Sequence, residues 1–102
     1  MFEFHKNRKR YFDWQYYISR DYVVPMVQPH LDLQQGGLKV LEIGAGEAGV
    51  LKAFLELGHQ CLGIELEENR VQRALEFMPE AIADGSLEMM IRNIYDIDVE
   101  TD

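Results

Sequence analysis

A chain of 102 residues with a formal charge of −8 and 47% apolar side chains has the balance of one soluble globular unit. No apolar run approaches the ~20 residues that span a bilayer, and the start, Met-Phe-Glu-Phe-His-Lys, lacks the charged-then-apolar pattern of a secretory signal. The single cysteine, Cys61, excludes an internal disulfide and points to a reducing, cytoplasmic setting.

Charge is unevenly distributed. Residues 1–20 carry five basic side chains against two acids, and the rest of the chain is strongly acidic. A body that acidic is poorly suited to gripping a phosphate backbone, so nucleic acid is not an expected partner. The cluster from Lys6 to Arg10 reads as a solvated arm drawn to the acidic residues behind it. His5, His30 and His59 share no ligand spacing with Cys61 or with one another, and no metal site is expected.

Residues 8–34 read as helical and aromatic. Tyr11, Trp14, Ile18 and Tyr22 fall at helical spacing, with Phe12, Tyr16, Ser19 and Val23 in the adjacent row. Pro25 and Pro29 predict two helical pieces, or one kinked helix, over Arg8–Leu33. A band this apolar is expected to bury Trp14 and its neighbours. After Gln35-Gly36-Gly37 comes a strand, Leu38–Ile43, running into Gly44-Ala45-Gly46-Glu47-Ala48-Gly49.

A helix from about Gly46 to Leu57 follows, facing the sheet with Val50, Leu51, Phe54 and Leu55 and closed by Gly58 as a left-handed cap. The second strand, Gln60–Glu65, ends on an acid. The next helix starts near Glu67, buries Val71, Ala74, Leu75 and Met78, and stops at Pro79. Residues 80–84 add a short turn before Asp84-Gly85-Ser86. A third strand, Leu87–Ile94, precedes an acidic tail. The expected fold class is α/β, a Rossmann-like half sheet of β-α-β-α-β with strand order 3-2-1. An aromatic helical cap, residues 1–35, precedes it, and residues 36–102 form the sheet domain.

A strand, a glycine turn opening a helix, and a carboxylate about twenty residues further on form the layout of a nucleoside-cofactor site. The glycine spacing also satisfies the dinucleotide fingerprint, so charge must separate the ligands. A dinucleotide sets its pyrophosphate at the helix N-terminus, where this chain has Glu47. With Glu42 and Glu65, three carboxylates surround the expected pocket, repelling a pyrophosphate and suiting a ligand with sulfonium and ammonium groups. An acid in a first helical turn also complements the helix dipole, the simpler reading of Glu47. Glu42 is harder to explain that way, because strands of parallel sheets are usually buried on both faces.

On these residues the chain resembles the class I S-adenosylmethionine-dependent methyltransferases. Their acid-x-Gly-x-Gly-x-x-Gly motif is matched by Glu42, Gly44, Gly46 and Gly49, and their acid after the second strand by Glu65. The resemblance covers roughly residues 36–97. It implies that this is the N-terminal, cofactor-binding half of a truncated domain, with S-adenosyl-L-methionine as cofactor.

By the same resemblance, the backbone of Gly44, Ala45 and Gly46 approaches the methionine and ribose portions of the ligand. Glu42 acts on the ammonium through water, Glu65 takes the ribose hydroxyls, and Leu66 packs on the adenine. Asn93 meets the adenine amine, with Asp96 as the competing choice, and the Ile94 N–H meets a ring nitrogen. In the cap, Arg20 has two readings: a surface ion pair, the commoner role of a lone arginine in an acidic chain, or a contact to the cofactor carboxylate with Tyr16 or Tyr11 beside it. Arg92 departs from the glycine that the family often has before the adenine-binding residue.

Acceptor and catalytic residues are not implied by this half, and the 102 residues alone are expected to be inactive. Two other readings compete: an NAD-binding oxidoreductase half-domain, and a non-catalytic cofactor-binding module. The unfilled edge of the first strand, or the cap, would also admit a homo-oligomer.

Overall fold

The structure is a computed structural model, and it describes residues 7–30, 37–93 and 95. The cap runs as one nearly unbroken helical rod. It comprises α1 (Arg8–Ile18), a wider π-helical turn (Ser19–Val23), α2 (Val24–Val27) and a 3-10 turn (Gln28–His30). Asn7 starts it, its side-chain carbonyl accepting the Arg10 N–H at 3.2 Å, as N-caps do. The expected break at Pro25 becomes a widened turn instead, with the Val24 N–H reaching back to the Ser19 carbonyl. That extra residue eases the clash between a proline ring and the carbonyl four residues before it. The expected continuation to Leu33 lies outside the described residues.

Three parallel strands follow, β1 (Lys39–Ile43), β2 (Gln60–Glu65) and β3 (Leu87–Ile91), in the order β1-β2-β3. This is the expected 3-2-1 arrangement seen from the other edge. Lys39 pairs with Gln60, and Cys61 with Leu87. The crossovers are α3 (Gly49–Glu56), then α4 (Glu68–Phe77) with the short α5 (Pro79–Ala83). Pro79 both stops α4 and opens α5, where its missing N–H costs nothing.

The core forms where the cap and α3 meet the sheet face carrying Cys61 and Leu87. Phe12, Leu51, Cys61, Ala74 and Leu87 are all buried there. Phe12 also stacks at 4.9 Å on Phe77, and burying one such side chain stabilises by about 2–3 kcal/mol. The cap therefore shares one core with the α/β portion: Phe12 and Val24 join Ala48, Leu51 and Phe54 of α3 and its N-terminal loop, with Cys61 and Leu87 of the sheet. The Ser19 hydroxyl donates to the Val50 carbonyl at 2.8 Å. Tyr16 donates to Glu56 at 2.5 Å, with the Lys52 ammonium 4.2 Å from the tyrosine ring.

Of the two aromatic rows, the one containing Phe12, Tyr16 and Ser19 turns inward. The other turns outward: Trp14 is 41% exposed, and Ile18 and Tyr22 are exposed as well. The expectation that Trp14 is mostly buried is thus corrected, because one row suffices to cover α3. Its emission should sit clearly to the red of a core tryptophan and respond to iodide; a blue, quencher-resistant spectrum would place another surface over it.

On the sheet, β1 pairs only with β2 among the described residues, and its Leu41 and Ile43 are about half exposed. Among the described residues, no helix is long and apolar enough to cross a membrane.

Candidate functional site

The loop after β1 is shaped by three left-handed residues, Gly44 (φ 74°), Gly46 (φ 59°) and Ala48 (φ 69°). Helical geometry is therefore impossible before residue 49, which is why α3 starts at Gly49 and not at the expected Gly46. The N–H groups of Gly44 and Ala45 both donate to the Ile64 carbonyl, at 2.7 and 3.0 Å, fastening the loop to the end of β2. A side chain built at Gly44 or Gly46 would meet no atom within 4 Å. These two glycines serve backbone conformation and leave open space above the loop.

Gly49 serves a different end. A Cβ there would lie 2.5 Å from the Phe12 carbonyl oxygen and 2.8 Å from the Gln15 Cβ, so its missing side chain is what lets α1 cross α3. Gly63 does the same beneath the loop, where a Cβ would come 2.9 Å from that of Ala45 and 2.6 Å from the Met89 sulfur.

Glu65, at the tip of β2, is buried. One carboxylate oxygen accepts the Gly46 N–H at 2.8 Å and the other accepts the Glu67 N–H at 3.0 Å. Its side chain thus joins the glycine loop to the start of α4. Each oxygen keeps a further acceptor position, since a carboxylate offers about four.

Glu42, on β1, is half-buried, and its Oε1 has no hydrogen-bond partner. Burial, with the Glu65 charge adding to it, lifts its carboxyl from 4.5 to about 7. A buried acceptor without a partner is costly, and two acids close enough for one charge to act on the other favour a cation beside them.

Glu47 does not complete the expected trio of pocket carboxylates. It is fully buried and paired with the Arg8 guanidinium of α1. Arg8 takes up the charge expected to face the ligand. It therefore stands apart from the expected solvated arm: it lies one helical turn before Phe12 on the inward row, a signal legible in the spacing.

The other expected site residues are dispersed. Leu66 is 64% exposed beside Glu65. Asn93 is exposed just past β3, its side-chain oxygen accepting the Tyr95 N–H at 3.0 Å. Ile94 and Asp96 lie outside the described residues. Arg20 stands on the exposed side of the cap in a two-bond fork with Asp21, at 2.8 and 3.1 Å, and close to the rings of Tyr16 and Tyr17. No group of three metal-ligating side chains occurs among the described residues.

Two solved structures share this architecture. The magnesium protoporphyrin IX methyltransferase of Synechocystis PCC 6803, solved with bound SAH, superposes with a TM-score of 0.66 at 21% identity, over 82% of this chain and 38% of its own. The N-terminal domain of EvdMO1, also with SAH bound, gives 0.57 at 26% identity, over 83% of this chain and 36% of its own. This chain has the class I methyltransferase fold.

In sequence, this chain is similar to the "Probable ribosomal RNA small subunit methyltransferase A" of Methanospirillum hungatei, at 33% identity over 76 residues. That match takes in 74% of the chain but 29% of the archaeal protein, so the chain spans under a third of this curated relative. No family model matches it. The methyltransferase likeness lends no support to the NAD-dependent oxidoreductase reading.

Proposed function

We propose that this chain is the cofactor-binding half of an S-adenosylmethionine-dependent methyltransferase. The observation that carries the proposal is the Glu42–Glu65 pair at the mouth of the glycine loop. Glu42 has a buried oxygen without a partner, and an ammonium group is the kind of neighbour that would satisfy it. Glu65 is fixed by two backbone N–H groups with acceptor capacity left for a diol. The residues present therefore fit the cofactor.

When bound, S-adenosylmethionine supplies a methyl group activated on a sulfonium. The chain's own residues bind and orient. Gly44, Ala45 and Gly46 leave room for close approach, and Glu42 compensates the ammonium. Glu65 accepts from the ribose hydroxyls, and the exposed Leu66 covers one adenine face. Asn93 with the Ile94 N–H, or Asp96 in their place, reads the adenine edge. Arg20 would have to release Asp21 to take the carboxylate.

In this reading residues 1–35 are a cap on the domain formed by residues 36–102, and the free edge of β1 is completed by further strands of the protein or by a second copy. The acidic balance keeps this half off a phosphate backbone, leaving acceptor recognition to other parts of the protein. The buried Cys61 suits the cytoplasm.

Binding of S-adenosylhomocysteine, followed by isothermal titration, tests the assignment. Glu65→Ala should weaken it by about tenfold or more, since a hydrogen bond to a charged group contributes roughly 1.5–3 kcal/mol. Glu76→Ala, on the exposed side of α4, should leave it unchanged. Equal affinities for wild type and Glu65→Ala would remove the central residue of the site.

A further inference from the structure

We infer that Arg8 is a positioning residue for the ligand, holding the glycine loop in shape through Glu47 and, one peptide bond away, through the Gly46 N–H that steadies Glu65. The inference rests on the reading of this loop as the cofactor site, and it assigns part of that site to the cap.

Three observations join to support it. The Arg8 side chain is 9% exposed and that of Glu47 1%, so the two charges meet away from bulk water. The pair is made through Arg8 Nε alone, leaving Arg8 Nη2 and Glu47 Oε1 buried without partners. Each is thus held to the other by a single bond. They border a hollow shared with Glu67, Asn69, Arg70 and Arg73, and there Arg70 is already engaged by Glu67 at 2.9 Å.

Glu47 directly follows Gly46, whose N–H reaches Glu65 at 2.8 Å, and precedes the left-handed Ala48. Breaking a buried pair by removing one member leaves an uncompensated charge, which is strongly unfavourable. Without Arg8, the Glu47 carboxylate turns out of its buried position to find water, or the Arg73 guanidinium that lines the same hollow. The peptide between Gly46 and Glu47 turns with it, so Glu65 loses one of its two anchors. The freed carboxylate would also add negative charge beside Glu65.

Two readouts test this in the full-length protein: titration with S-adenosylhomocysteine, and ligand-free amide exchange at Gly46 compared with Cys61 and Ile64 in β2. Arg8→Met and Glu47→Gln should each raise the dissociation constant at least fivefold and speed Gly46 exchange at least tenfold, with the β2 amides unchanged. The double variant, which removes both charges, should bind closer to wild type than Arg8→Met does, an effect that simple loss of packing would not produce. Affinities within twofold of wild type in both single variants would overturn the inference. So would exchange that rises equally at Gly46 and throughout β2.

Should Arg8→Met not fold, the near-isosteric Glu47→Gln decides alone: a Gly46 amide as protected as in wild type rejects the role. If the wild type binds no S-adenosylhomocysteine, the cofactor reading falls, and Gly46 exchange still decides whether Arg8 holds the loop.

Discussion

Gly49→Ala should destabilise the protein by about 3 kcal/mol, the upper range for forcing extra volume into a packed contact. The added methyl would sit 2.5 Å from the Phe12 carbonyl oxygen. That atom belongs to the α1 backbone, so no rotamer change can clear it. The helix must shift as a body, and the Phe12–Phe77 contact and the Ser19 hydrogen bond to Val50 shift with it. Gly44→Ala is the informative comparison. Nothing lies within 4 Å of its new methyl, but φ is +74°, so its cost is the roughly 1–2 kcal/mol of a left-handed residue. Urea midpoints for the two variants separate steric from conformational causes. A Gly49→Ala midpoint equal to wild type would show that α1 and α3 do not cross this closely.

Glu42→Gln should make the ligand-free protein more stable at pH 8, and progressively less advantaged toward pH 4.5. Burial and Glu65 raise the Glu42 carboxyl from 4.5 to about 7, so between these values the folded chain holds a proton that the unfolded chain has released. The contribution of Glu42 to stability is therefore complete below about pH 4.5 and is lost as pH rises through 7. Above 7 the folded state carries a poorly solvated charge that glutamine removes. The gain should be on the order of 2 kcal/mol once solvent access to the group is allowed for. Affinity for S-adenosylmethionine should move the other way: glutamine weakens it, and in the wild type it strengthens between pH 6 and 8 as Glu42 ionises. Denaturation curves at pH 5 and pH 8 would check the first half. A stability difference that does not change with pH would show that Glu42 is not a raised acid.

The half sheet was legible because its signals are local. Gln60–Glu65 is a short apolar run that ends in an acid, Gly58 terminates a helix, and Pro79 punctuates two more. Glu42 and Glu65 stand out in the sequence because each sits at a fixed distance from the glycines, and the structure leaves Glu42 with a buried oxygen lacking a partner and ties Glu65 to two backbone N–H groups. What escaped involves contacts across long stretches of chain. Nothing near Glu47 announces Arg8, thirty-nine residues earlier, so the sequence alone leaves its charge to a ligand. The expected start of α3 lies three residues too early because a left-handed alanine at position 48 has no sequence signature. Which aromatic row faces inward depends on the shape of α3: the smaller row, with Ser19 in it, lets the helices come close, and the row with Trp14 could not.

The widened turn at Ser19–Val23 also acts as a phase adjuster. A regular helix counted from Phe12 would carry Val24 round to the flank of the rod. The additional residue delays the winding, so Val24 joins Phe12 in the same core. The cap is consequently sensitive to the number of residues between those two positions more than to their identity. Substitutions at the exposed Arg20, Asp21 or Tyr22 leave the winding alone, whereas loss or gain of one residue there rotates one half of the rod against the other. Natural variation in this segment should accordingly take the form of exchanges at constant length.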